Sequence, residues 1–213
     1  MTTSPRQLPL HFPSHGGRRR GAGRKPSLRP LTLHRARPAL AARYPVHVTL
    51  RARASVGNLR GARLFRAVER ALAEGRGRFG FRLVHFSVQF DHLHLLVEAP
   101  DAQTLTQAMR GLAVRLARRI NRALGRSGAV LAGRYHARIL RSPTEVRRAL
   151  AYVLDNWRKH ALLPVPPGTL DPRSSAHLLD VAVPGEAPVL PPGTWLLAVG
   201  WRRFRAGTAS PLR

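Results

Sequence analysis

Residues 81–98 read FRLVHFSVQFDHLHLLVE, two strand-like runs, Phe81–Phe90 and His92–Glu98, meeting at Asp91. Side chains alternate across a strand, so Leu93, Leu95 and Val97 project from one face of the second run. His92 and His94 project from the other. The apolar face must be covered by something, and the sequence on either side supplies the cover.

Upstream, YPVHVTLRAR (Tyr44–Arg53) alternates Val46, Val48 and Leu50 with His47, Thr49 and Arg51, which predicts a strand. From Ala62 to about Arg76, Leu64, Phe65, Val68 and Leu72 recur at helical spacing. Downstream, the spacing predicts a helix from about Ala102 to Leu124. Its apolar stripe is Leu105, Met109, Leu112, Leu116 and Ile120, and its basic flank includes Arg110, Arg115, Arg118, Arg119 and Arg122. GRYHARILR (Gly133–Arg141) predicts another strand. Ser142-Pro143-Thr144-Glu145 then carries a helix start: a capping serine, proline at the first helical position and glutamate three residues after the cap. That helix is expected to reach about His160. The order β-α-β-β-α-β-α predicts an α+β fold, a ferredoxin-like, RRM-like split βαβ antiparallel sheet with one helix appended.

The 213 residues carry 37 Lys and Arg against 10 Asp and Glu, a formal charge of +27. Such an excess predicts a polyanionic partner, most simply nucleic acid. The cations are nearly all arginine, which suits phosphate contacts and equally follows from a GC-rich genome. With 44% hydrophobic residues the chain can build a core. It has no cysteine, which excludes disulfides, thiolate metal sites and cysteine nucleophiles. No apolar run approaches the roughly 18–20 residues needed to span a bilayer, and no apolar signal segment opens the sequence. The expectation is a cytoplasmic, nucleoid-associated protein with no membrane partner.

Three segments follow. Residues 1–43 are rich in Pro, Gly and Arg, densest at GGRRRGAGRKP (Gly16–Pro26). They read either as a flexible arm that binds nucleic acid through Arg18, Arg19, Arg20, Arg24 and Lys25, or as a solvated basic tail. Residues 44–160 form the predicted domain, and 161–213 are a Pro-rich extension whose TWLLAVGWRRF (Thr194–Phe204) suits a short helix.

Two imidazoles on one side of a strand suit a divalent metal, although ten histidines make a chance His-x-His easy to find. The appended helix sharpens the reading. Val146, Leu150, Val153 and Trp157 form its apolar stripe, while Tyr152 and Asn156, four residues apart, share a neighbouring face. If the crossover helices cover one sheet face, this helix covers the other, where His92 and His94 project.

DHLHLLVE (Asp91–Glu98) with ALAYVLDNWRKH (Ala149–His160) resembles the single-tyrosine HUH transposases. GRYHARIL and GGRRRGAGRKP resemble the branch associated with repetitive extragenic palindromes. The resemblance covers about residues 44–160. It implies the HUH endonuclease fold, a bacterial or archaeal source, and a metal-dependent endonuclease and strand transferase acting on single-stranded DNA near hairpins. By position, His92 and His94 match the paired ligands of a Mg²⁺ or Mn²⁺ ion, Tyr152 the nucleophile, and Asn156 the amide that completes the metal site. A 5′-phosphotyrosine intermediate and a monomeric or homodimeric enzyme are implied likewise.

Other residues read more plainly. His47 and His85 suit packing or surface positions. Tyr135 and His136 lie within reach of the site, Asp91 suits a turn, and Glu98 falls on the histidine face two steps beyond the pair. The carboxylates are too sparse for a paired-acid nuclease. The alternative function is a non-catalytic or domesticated hairpin-binding protein with an RRM-like sheet, whose exposed face would carry Phe86, Val88 and Phe90.

Overall fold

A computed structural model describes residues 38–160, 164–179, 183, 185 and 187–203. In chain order its main elements are β1 (Val46–Arg51), α1 (Ala62–Gly75), β2 (Gly77–Arg78), β3 (Phe81–Val88), β4 (His92–Glu98), α2 (Ala102–Leu124), β5 (His136–Ile139), α3 (Pro143–Asp155) and α4 (Trp195–Ala198). The arginines of the N-terminal run, with Lys25, lie outside the described residues. Leu40, within the segment read as an arm, packs in the core.

The sheet order is β2-β3-β4-β1-β5, and every pairing is antiparallel. Setting aside the two-residue β2, this is the ferredoxin-like arrangement expected from the element order. α1 and α2 cover one face, burying Leu64, Val68 and Leu72 with Leu105, Met109 and Leu112 over Leu93, Leu95 and Val97. α3 and α4 cover part of the other, where Val146, Leu150 and Val153 meet Val84, Leu96 and Leu140.

The helix ends follow local chemistry. The Asp101 carboxylate accepts the Thr104 N–H at 2.7 Å to start α2, and Gly125 ends it in the left-handed region at φ 66°. Ser142 caps α3 through the Glu145 N–H, with Pro143 in the first turn. Glu145 reaches back to the Arg141 N–H at 2.7 Å, one residue before the usual target of a capping box.

Four boundaries differ from the sequence reading. β3 ends at Val88, and β5 is limited to His136–Ile139 because only those residues pair with β1. The hairpin strand β2 is too short to show a period. α3 stops at Asp155 and tightens into a 3-10 turn over Asn156–His160, so Trp157 leaves the helical stripe. Its ring lies instead near the guanidinium groups of Arg60 and Arg158.

A bulge between Leu83 and His85 shifts the register of β3. Phe81 and Leu83 face α1 and α2 before it, and Phe86 and Val88 do so after it. Phe86 and Val88 are therefore core residues, 1% and 0% exposed. The aromatic sheet platform that an RRM-like binder needs is not formed by them.

Arg173, Ser175 and Leu190 of the extension strap the free edge of β3. Val88 N–H donates to the Arg173 carbonyl at 2.9 Å, Ser175 N–H to the Phe86 carbonyl at 3.0 Å, and Leu190 N–H to the Leu83 carbonyl at 2.7 Å. These bonds satisfy an edge that would otherwise invite pairing with another chain. Two buried carboxylates fasten the strap. Glu98 accepts the Gly193 N–H and the Thr194 N–H and hydroxyl, each at 2.8 Å. Asp171 takes two bonds from Arg60, at 2.7 and 3.0 Å.

Removing Asp171 strands a guanidinium that is three-quarters buried. Asp171→Ala is expected to cost about 3 kcal/mol, a fall in Tm of roughly 6–12 °C at this chain length. Thermal unfolding followed by circular dichroism measures it, and an unchanged Tm would show that the strap adds nothing to the core.

Candidate active site

β4 lies between β1 and β3, and Leu96, on its histidine face, packs with Val146, Leu150 and Val153 of α3. The antiparallel register sets Thr49 of β1 opposite His94, with His136 of β5 opposite Thr49 in turn. Alternation then puts His47, Thr49, His92, His94, His136 and Arg138 on one surface.

Four of these side chains and Asp91 form a continuous hydrogen-bonded row. His92 Nε2 lies 3.0 Å from His94 Nε2. On its far side, His94 Nδ1 lies 3.2 Å from His47 Nε2 and 3.3 Å from Thr49 Oγ1. His92 Nδ1 lies 2.7 Å from Asp91 Oδ1. A carboxylate only accepts, so neutral His92 donates through Nδ1 and turns the Nε2 lone pair toward His94. Hydrogen bonding from His92, then from Arg51, holds the Asp91 carboxyl below its ordinary range. Burial, reinforced by nearby His136 and Arg138, pulls His47 down to about 4, so its imidazole is neutral near pH 7.

The pair suits a divalent ion. Two nitrogens each about 2.1 Å from one ion, at right angles around it, stand about 3.0 Å apart, the separation seen here. Each imidazole also has a partner on its other nitrogen, as metal-bound histidines generally do. The proton that must leave His94 Nε2 has a place at Nδ1, facing Thr49 and His47. Among the described residues no group of three or more His, Cys, Asp or Glu side chains could hold an ion alone. Further ligands must come from an amide, water or phosphate.

α3 brings Tyr152 to the same point. Its ring centroid is 5.0 Å from that of His94 and 5.8 Å from that of His47, both in edge-on geometry. Val153 beside it is fully buried, whereas Tyr152 is 43% exposed. The stripe that anchors the helix therefore leaves the tyrosine beside the row of imidazoles rather than under it. A cleft of about 460 Å³ opens there, lined by His94, His136, Arg138, Arg148 and Tyr152 among others. Arg148 is one turn before Tyr152 and meets no carboxylate among the described residues, while Arg138 pairs with Glu145 at 3.2 Å. The cleft holds the Tyr152 ring, the imidazoles of His47, His94 and His136 and the unneutralised charge of Arg148, with His92 outside its lining, a donor set that suits a phosphodiester.

The predicted residues divide accordingly. His92, His94 and Tyr152 converge. Asn156 is buried at the end of α3, where its N–H bonds to the Tyr152 carbonyl, and it does not line the cleft. Arg115, Arg118, Arg119 and Arg122 lie on α2, across the sheet from the imidazoles, and Arg119 pairs with Glu74 of α1. Glu98 is a fastening for the strap, Tyr135 packs toward the α1 and α2 side, and His85 bonds to Ser175 at 3.2 Å. His47, Thr49, Arg138 and Arg148 are additions. Arg148 could be found from its four-residue spacing to Tyr152, whereas His47 and Thr49 require the β1–β4 register.

Residues 42–153 match the family model described as IS200-like transposase. No curated protein matches the chain. Among solved structures, a REP-associated tyrosine transposase bound to a REP hairpin is similar at a TM-score of 0.54 and 16% identity, covering 68% of this chain and 82% of that one. At that identity the likeness is one of fold. The family match spans more than half of the sequence and coincides with the sheet, α3 and the convergent cleft, and this protein belongs to the IS200-like transposase family.

Proposed function

We propose that this transposase cuts and rejoins single-stranded DNA beside hairpins through a covalent bond to Tyr152, with a divalent ion held by His92 and His94. One observation carries the reading: the Tyr152 ring centroid lies 5.0 Å from that of His94, whose Nε2 faces His92 Nε2 at 3.0 Å.

The Tyr152 oxygen, having lost its proton, attacks a backbone phosphorus. The bond from phosphorus to the 3′ oxygen breaks, that oxygen takes up a proton, and the 5′ end remains on the tyrosine as a phosphotyrosine. A second 3′-OH can then attack the same phosphorus and release the phenol, so strands are rejoined with no outside energy source. Mg²⁺ or Mn²⁺ at the imidazole pair supplies polarisation of a phosphate oxygen and stabilises charge that develops in the transition state. Asn156, one turn beyond Tyr152 and outside the cleft lining, is proposed to complete the ion's surroundings by orienting a water through its amide. Asp91 fixes His92, and His47 with Thr49 fixes His94. Arg138 and Arg148 hold the phosphates on either side of the cut.

Hairpin DNA as the partner is supported by the charge of +27 and by the REP hairpin bound to the similar structure. The basic run at residues 16–26 is proposed as a further DNA contact. Because one chain contributes both His94 and Tyr152, cleavage does not require subunits to exchange α3.

Tyr152→Phe removes one oxygen and is expected to abolish the covalent adduct on a denaturing gel while hairpin affinity stays within about twofold. Normal cleavage by this variant would refute the mechanism. His92→Ala and His94→Ala are expected to lose cleavage, as is the parent protein in EDTA, with Mn²⁺ restoring only the parent. Activity in EDTA would remove the ion from the account. His47→Ala is expected to slow cleavage roughly 10- to 100-fold, with His47→Gln partly restoring it; equal rates in all three proteins would show that His47 does not orient His94.

A further inference from the structure

Phe79 stands at the tip of the two-residue turn joining β2 to β3 and is 87% exposed. Its φ is +52° and that of Gly80 is +84°, the double left-handed pattern of a tight hairpin turn. Such turns favour Asn, Asp or Gly at the first position, because a bulky side chain is strained there. Phe79 thus combines backbone strain with an unburied ring and gains nothing from the core. No other described non-glycine residue has a positive φ.

Beside the ring is a groove of about 220 Å³, lined by Gly75, Arg78, Phe79, Gln107, Gly111 and Arg115 among others. Gly111 gives it depth. A Cβ on Gly111 would come within 3.0 Å of an Arg115 guanidinium nitrogen, whereas one on Gly75 would meet Leu112 Cδ1 at 3.1 Å, where α1 and α2 pack closely. Glycine in mid-helix weakens α2, and here it leaves the channel in which the Arg115 side chain lies. Neither Arg78 nor Arg115 meets a carboxylate among the described residues. The basic surface continues along α2 past Arg110 and Arg118.

We propose that this groove is a second nucleic-acid site, in which an unpaired base of single-stranded DNA stacks on Phe79 while its phosphates bind Arg78 and Arg115. A planar aromatic surface flanked by unneutralised guanidinium groups matches an unpaired nucleotide, since every base offers a face for stacking and every link a negative charge. With a charge of +27, a second copy of this chain is disfavoured as occupant. The site rests on the DNA-processing reading above but lies across the sheet from Tyr152. It can hold a loop or tail of the DNA without entering the cleft.

The test uses the full chain and a hairpin DNA with a single-stranded tail, carrying 2-aminopurine at unpaired positions. Phe79→Asn suits the turn, so its Tm is expected to equal or exceed that of the parent. Its affinity for the tailed hairpin is expected to fall roughly 5- to 150-fold, with loss of the 2-aminopurine quenching that the parent produces. A blunt duplex is expected to bind both proteins alike. Arg115→Gln is expected to lower the salt dependence of binding by about 0.7 in the log–log slope. Unchanged affinity and quenching in Phe79→Asn overturn the proposal, as does an equal loss on the blunt duplex. A change in self-association of Phe79→Asn without a change in DNA binding makes the tip a protein contact and also overturns it. Failure of the catalytic reading has a different signature, namely no covalent adduct from the parent protein.

Discussion

The antiparallel register between β1 and β4 is the constraint from which the rest of the molecule follows. With Thr49 opposite His94, alternation sends Leu93, Leu95 and Val97 beneath α1 and α2 and sends the imidazoles the other way. A slip of one residue would exchange the two faces, burying His92 and His94 in the main core and exposing three aliphatic side chains. Burial of those leucines and valine therefore orients the chemistry, although none of them touches it. The β3 bulge serves the same end, because it keeps Phe86 and Val88 in the core after Phe81 and Leu83.

The second face of the sheet is covered only in part, and its cover is held differently. α3 and α4 bury an aliphatic patch around Leu96, and the strap beyond it depends on carboxylates with little access to water. Glu98 and Asp171 are costly to bury alone, and each is matched by donors from a distant segment. In a chain with only 10 acidic residues, two are placed here, where Asp171 holds Arg60 and Glu98 holds Gly193 and Thr194. The cleft itself holds one carboxylate, Glu145, paired with Arg138, while Arg148 meets none among the described residues.

The row from Asp91 through His92 and His94 to His47 has a direction. Its acidic end, Asp91, faces His92 Nδ1, and its neutral end, His47, faces His94 Nδ1, so each imidazole is held on the nitrogen turned away from the other. Tyr152 stands at the edge of this row because Val153, its neighbour in sequence, is the residue that α3 buries. Anchoring the helix and presenting Tyr152 to the cleft are two consequences of one helical period.

Local sequence pattern determined much of this protein. The alternation in 92–98 separated histidines from core leucines, the stripe within about 102–124 marked α2, and Ser142-Pro143 placed the start of α3. The motif pair around His94 and Tyr152 also pointed to the surface on which they meet. Each of these signals spans a few neighbouring residues, where backbone geometry dictates periodicity. Only the tertiary structure decided that His47 and Thr49 back His94, since 45 or more residues separate them in the chain. It likewise decided that Glu98 serves the strap, that the arginines of α2 face away from the cleft, and that Phe79 stands exposed beside Arg115. Register and layer assignment are settled by packing of the whole core, and no local window of residues contains that information.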